Sequence, residues 1–226
     1  MSDAPSSHAP RTGADAADVE QFVGRRVTLL QTTRLESGAR GSRTVALLAR
    51  LRRSATEEPG ADPQTWDATL DGAPGSPLKP WISDPTRQER AIHLAMAMYA
   101  TAQQGRTEDA HERGRGLGGA VRSLERLRPS AADGGVSPVR RRFDALATSA
   151  TMPELAVHLR GLVTQLRGEK ITLDFGRLAR DLFVYQLPGQ ANAVRRAWAR
   201  DLHAVRSDVV DDAGAGRAAT TTDKES

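Results

Sequence analysis

The amino-acid sequence predicts an all-α protein of about eight helices, packed as one or two helical bundles. Apolar residues recur at spacings of three and four in most segments, as they do on the buried face of a helix. No segment shows a convincing alternation of apolar and polar residues. Hydrophobic residues make up 38% of the 226 residues, below the usual share, which indicates that part of the chain lies outside a core.

The first two helices are predicted at Val19–Glu36 and Ser42–Arg53, with Ser42 as the N-cap of the second. At 100° per residue, the second helix has one apolar side, formed by Val45, Leu48 and Leu51. Its opposite side carries Arg43, Ala46, Arg50 and Arg53. Arg52 lies beside the apolar side, so we expect it to pair within the protein.

A long helix near the middle of the chain is predicted to be central. Residues 57–75 read as a loop with a short helix that Asp62-Pro63 begins, and Trp81 is expected to pack on the core. Asp84-Pro85 then opens a helix that runs to about Gln104, with Gly105 ending it. Its apolar stripe is wide, which indicates contacts on several sides.

Five further helices follow. One is expected at Leu117–Leu127, with Val121, Leu124 and Leu127 inward. The next begins at Ser137-Pro138, and a capping box at 151–154 opens another. Asp174 is predicted to cap the fourth, and the last runs from Gly189 to about Val205. We therefore predict an N-terminal helical subdomain (19–128), a C-terminal bundle (137–206) and disordered tails at 1–18 and 207–226.

The charge distribution points to an anionic partner. The formal net charge is +4, but residues 1–20 and 207–226 each sum to −3, which leaves +10 on residues 21–206. Of 32 basic residues 29 are arginine, a choice that suits phosphate binding but that a GC-rich genome would also produce. The chain has no cysteine, no signal peptide is visible, and no apolar run approaches the roughly 20 residues that cross a bilayer. A soluble, cytoplasmic protein is predicted.

The motifs give no sign of catalysis. Gly114, Gly116 and Gly119 match a dinucleotide-binding spacing, but no strand precedes them. The segment is better interpreted as the entry to the Leu117 helix, whose free N–H groups could hold a phosphate. None of the five histidines has a metal-ligand spacing; His93 is expected in the core, and His111, between Asp109 and Glu112, suggests a metal only weakly. We predict no enzyme activity, no metal and no cofactor.

Several arginine-rich helix faces indicate nucleic-acid binding without sequence readout. Arg141 is expected to point outward, Arg142 to flank the apolar side, and Arg140 to pair with Asp144. Aromatic residues are only 4%, which argues against base stacking and for contact with the backbone. The 105–113 loop is neutral overall, so it suits either nucleic acid or a salt-bridged protein contact.

An ordered set of segments resembles the CasB family, the small subunit of the type I-E CRISPR surveillance complex, Cascade. The resemblance covers about residues 20–206. Its segments are LARLRR (48–53), QQGR (103–106), GRGLGGAV (114–121), RRF-x-AL (141–146), HLRGLV (158–163), LDFGRLARDL (173–182) and VRRAWARDL (194–202).

The resemblance implies a non-catalytic, all-α, two-bundle subunit that stabilises the R-loop formed by the crRNA, the target DNA and the displaced strand. It also implies contacts with the backbone and large subunits of Cascade and with a second copy of itself, arranged head to tail. With the outward face of the second helix added, the expected nucleic-acid contacts are Arg43, Arg50, Arg53, Arg106, Arg115, Arg122, Arg141, Arg142, Arg160 and Arg196. The alternative function is a helical DNA-binding transcriptional regulator.

Overall fold

A computed structural model of the chain describes residues 12–75, 84–128 and 135–204. Trp81 and most of both predicted tails lie outside these residues. The described residues form nine α-helices and two 3₁₀ turns and no strand, which confirms the predicted all-α class. The helices are α1 (Thr12–Thr33), α2 (Ala39–Arg53), α3 (Trp66–Thr69), α4 (Arg87–Gln103), α5 (Leu117–Leu127), α6 (Pro138–Thr148), α7 (Met152–Gly168), α8 (Phe175–Tyr185) and α9 (Ala191–His203).

Helix α4 is the centre of the fold. Each of its residues from Ala91 to Gln103 is buried, because α1, α2, α7 and α8 pack around it. This confirms the predicted central helix, with burial on all sides. Apolar side chains from all the described α-helices join one continuous core, to which the short α3 contributes Ala68.

Two helices pack across the predicted boundary between subdomains. Helix α8, placed by the sequence in the C-terminal bundle, packs against α1 and α4. Helix α5, placed in the N-terminal subdomain, packs against α9 and α6. The α1–α8 contact is close because Gly176 has no side chain: a Cβ there would lie 2.7 Å from the Glu20 carbonyl oxygen.

Several predicted helix starts are confirmed by their cap hydrogen bonds. The carboxylate of Asp62 accepts from the Gln64 N–H at 3.0 Å, and that of Asp174 accepts from the Arg177 N–H at 3.0 Å. Ser137 caps α6 in the same way. Thr151 caps α7, but the Glu154 carboxylate accepts from Ala150 rather than from Thr151, so the box is displaced by one residue.

Other local predictions are wrong. Helix α2 begins at Ala39 after Gly38, whose φ is 83°, so Ser42 lies inside the helix. Helix α4 is capped by Thr86 through a reciprocal box with Glu89, since a threonine three residues before a glutamate satisfies two free N–H groups. Helix α1 begins at Thr12, seven residues before the predicted start. Val45 and Leu127 are exposed rather than inward, with 57% and 59% of their surfaces accessible.

Candidate nucleic-acid interface

The arginines of α2 divide into free and paired side chains. Arg43 and Arg53 are exposed and form no ion pair within the described residues. Arg50 Nη1 lies 3.5 Å from Asp62 Oδ2, so the cap of the next turn partly neutralises it. The predicted outward face therefore presents Arg43 and Arg53 to solvent, with Arg50 tied to the protein.

Arg106 holds the loop after α4 to the segment between α7 and α8. Its guanidinium donates to the carbonyl oxygens of Ile171 (3.2 Å), Lys170 (2.9 Å) and Asp109 (3.1 Å). Partial burial lowers the pKa of Arg106. Both of its terminal nitrogens donate to backbone, so a structural role explains this residue. Arg115 is similarly committed, because its Nε lies 3.2 Å from Glu112 Oε2.

The 105–113 loop is held in place by salt bridges within the chain. Arg34, which directly follows α1, binds Asp109 at 2.8 Å, and Lys170 binds Glu108 at 2.6 Å. The Lys170 hydrogen bond lowers the pKa of Glu108 to about 2. A short parallel bridge between His111 and Leu173 adds backbone hydrogen bonds.

His111 is a buried structural residue. Its Nδ1 lies 3.3 Å from the Leu173 carbonyl oxygen and 3.2 Å from the Phe175 nitrogen. Desolvation lowers its pKa, although the nearby Asp174 carboxylate opposes that effect. In the part of the chain that the structure describes, no group of three histidine or acidic side chains could hold a metal ion. His93 is also buried and hydrogen-bonds the Ser54 carbonyl oxygen at 2.7 Å, as expected for a core residue.

Arginines of α6 and α7 lie together in the C-terminal part of the chain. Arg141 and Arg142 are exposed, and the Arg142 side chain passes over Gly161, so that a Cβ there would lie 3.5 Å from Arg142 Cδ. The neighbouring Arg160 is partly exposed. Arg140 pairs with Asp144 at 3.0 Å, as predicted, and is thereby neutralised.

Two neighbouring arginines of α9 make different contacts. Arg196 is exposed, whereas Arg195 donates to the Ser149 carbonyl oxygen (2.8 Å) and to the Tyr185 hydroxyl (3.0 Å). Arg195 therefore joins α9 to the end of α6. Of these two arginines, the outward Arg196 is the one that is free to bind a partner.

The structure also brings together three arginines that sequence reasoning did not connect. Arg52 of α2 lies within electrostatic reach of its neighbour Arg53 and of Arg167 of α7, whose Nη1 donates to Gln104 Oε1 at 2.6 Å. The pKa of Arg52 is lowered first by burial and then by these two neighbouring cations. Arg52 makes no ion pair within the described residues, so the expectation that it pairs inside the protein is wrong. No local pattern links helices that lie so far apart in the sequence.

The glycine-rich entry to α5 has a carboxylate of the chain at the helix N-terminus, where a phosphate was predicted. Gly114 has a φ of 84°, and Gly116 precedes the first turn. The carboxylate of Asp201, from α9, accepts from the Gly119 N–H at 3.1 Å. That acid occupies the place predicted for a phosphate, so the helix end is already capped.

Comparison with known proteins places the chain in a family. The sequence profile of the CRISPR-associated protein Cse2 family matches residues 47–203, which is more than half of the chain. The chain belongs to the Cse2 family. No curated protein matches it.

Solved structures resemble this Cse2-family protein over most of its length. The crystal structure of CasB from Thermobifida fusca is 35% identical, covers 83% of this chain and 98% of that one, and superposes with a TM-score of 0.61. A chain of a CRISPR RNA-guided surveillance complex is 21% identical, covers 81% and 95%, and gives 0.56. CasB from M. ruber is 19% identical, covers 78% and 92%, and gives 0.50. The last two show a shared fold. No described helix of the Cse2-family protein has the length and apolar content to cross a membrane.

Proposed function

We propose that this Cse2-family protein is a non-catalytic subunit of a CRISPR Cascade complex that binds nucleic-acid backbone without reading sequence. The observation that carries the proposal is the set of exposed and partly exposed arginines without an ion pair in the described residues, on a chain of this family. Its contacts are with the crRNA–target duplex and the displaced strand, beside the backbone and large subunits and a second copy of itself. The protein works in the cytoplasm.

Backbone contact suits these residues because guanidinium groups bind phosphate oxygens in a fixed, forked geometry. The contact residues are therefore taken from the free arginines. They are Arg43, Arg53, Arg122, Arg142, Arg160 and Arg196. Four predicted contacts are excluded because carboxylates or carbonyl groups of the chain already engage them: Arg50, Arg106, Arg115 and Arg141, which donates to the Val136 carbonyl oxygen at 3.0 Å.

Stabilising an R-loop needs little energy from each phosphate that is bound. Exchanging a DNA duplex for an RNA–DNA duplex is nearly balanced, so a few phosphate contacts can decide whether the loop stays open. Because these contacts do not read bases, they act equally on every target.

The test is R-loop formation by the assembled complex at several salt concentrations. Arg43→Gln with Arg53→Gln should weaken binding on every target sequence and reduce the salt slope by about 0.9 for each duplex phosphate that is no longer neutralised. The matched control, Arg128→Gln with Arg140→Gln, removes the same charge at arginines paired with Glu169 and Asp144. Equal effects of the two double variants, or weakening confined to one target sequence, would overturn the proposal.

A further inference from the structure

A polar cleft lies beside the first turns of α5. Its volume is about 440 Å³, and it opens between the glycine-rich entry, α5 and the end of α9. Its described lining includes no aromatic side chain and is formed by Glu112, Arg113, Gly114, Arg115, Gly116, Gly119, Arg122, Ser123, Arg126, Asp201 and Ala204. We refer to it as the α5 cleft. A cleft with this lining has no aromatic ring on which a base could stack.

Both carboxylates of the α5 cleft are already bound. Glu112 accepts from the Thr172 hydroxyl and pairs with Arg115 at 3.2 Å. Asp201 accepts from the Gly119 N–H and lies 3.7 Å from Arg177. Neither carboxylate forms an ion pair with the other arginines of the cleft.

Three arginines of the α5 cleft have no ion-pair partner within the described residues. Arg113 and Arg126 are exposed, and Arg122 is partly buried with its Nη1 out of contact with solvent and without an acceptor. Arg122 and Arg126 are four residues apart on one helix, where like charges repel and destabilise the helix. A buried donor without an acceptor adds a further cost. An anion in the cleft would relieve both.

We propose that the α5 cleft binds one phosphate group of a DNA strand through Arg122 and Arg126; the Arg113 guanidinium instead lies toward Gly24 of α1. The site uses guanidinium groups and not the helix end, since Asp201 caps that end. The inference rests on the proposed function and assigns one phosphate to one place. The ligand chemistry, a phosphate oxyanion, is shared by a strand and by free phosphate, so the experiment separates the two.

The sharpest test is a methylphosphonate scan of the target DNA, which neutralises one backbone phosphate at a time. The assembled complex with the natural chain should bind several-fold more weakly when the phosphate that contacts the cleft is neutralised. With Arg122→Gln and Arg126→Gln, affinity should already be lower, and neutralising that same phosphate should have no further effect. Arg128→Gln with Arg140→Gln, the control, should keep the natural response. If no phosphate position shows this behaviour, the inference is overturned.

Two further arms keep the outcome clear. Arg126→Gln alone changes only an exposed side chain, so it tests the cleft even if Arg122 is needed for folding. Inorganic phosphate at constant ionic strength should not displace the DNA; displacement would show a free-phosphate site and overturn the assignment to a strand.

The two proposals fail differently. If Arg43→Gln with Arg53→Gln lowers the salt slope while the α5 cleft variants do not, the cleft assignment fails and the proposed function stands. If neither pair changes the slope, the proposed function fails as well.

Discussion

Replacing Gly118 with alanine should separate α5 from α9. A Cβ at Gly118 would lie 2.6 Å from the Leu202 nitrogen and still closer to the Trp198 carbonyl oxygen. Both atoms belong to the α9 backbone, so no side chain can rotate away. Ordinary contacts begin near about 3.5 Å, and α9 must therefore withdraw by roughly 1 Å.

Gly119 provides the matched control because it lies on the same turn. A Cβ there would be 3.6 Å from Asp201 Oδ1, an ordinary contact. Gly119→Ala keeps its N–H donor and should stabilise the protein by about 0.5–1 kcal/mol through helix propensity. Gly118→Ala gains the same amount but incurs about 3 kcal/mol of overpacking, for a net destabilisation of about 2 kcal/mol.

The assay is thermal and urea unfolding of the two variants beside the natural protein. A difference of about 3 kcal/mol corresponds to melting temperatures about 6–12 °C apart. The urea midpoints should shift in the same order without a change of slope. Equal stability of the two alanine variants would refute the close approach of α5 and α9.

Buried and terminal charges give three other predictions. Asp181→Ala should lower the free energy of unfolding by about 3 kcal/mol in urea titrations, because Asp181 is buried and accepts from Trp198 Nε1 at 2.8 Å and from Arg180 at 3.1 Å; a decrease below about 1 kcal/mol would contradict this reasoning. Burial lowers the pKa of His93 and of His111, so the unfolded chain takes up protons at these residues before the folded protein does. The free energy of unfolding should therefore be highest above the ordinary histidine pKa of about 6.5. At lower pH it should decrease by up to about 1.4 kcal/mol per pH unit for each histidine. Urea titrations at about pH 7.5 and 5.5, on either side of that ordinary pKa, measure this decrease, and equal values would refute it. Removing residues 207–226, which carry a net −3, should strengthen DNA binding by the assembled complex most at low salt, and an unchanged affinity there would count against it.

The elements that sequence reasoning predicted well are those whose signals are local. The spacing of Val121 and Leu124 defines α5, and the side chains of Asp62 and Asp174 cap helices a few residues away. The central α4 was predictable because its apolar stripe is too wide for a surface helix.

The details of the candidate interface were harder, because they depend on contacts between distant parts of the chain. Arg106 matches an exposed basic residue by sequence, yet the carbonyl oxygens that engage it come from residues 109, 170 and 171. Asp201 accepts a hydrogen bond from Gly119 of α5, although the two residues are 82 positions apart in the sequence. No sequence pattern near Gly119 predicts that partner. Local periodicity therefore assigns the face of an arginine but not whether that arginine is free.

The burial of α4 on every side has a consequence during synthesis. This helix has no polar face of its own, and α8, one of the helices that cover it, begins 72 residues after α4 ends. At about 5–20 residues per second, the ribosome needs roughly 4–14 s to make that interval. During those seconds the methionines and alanines of α4 cannot be fully buried. The nascent chain then exposes apolar surface that a chaperone could cover.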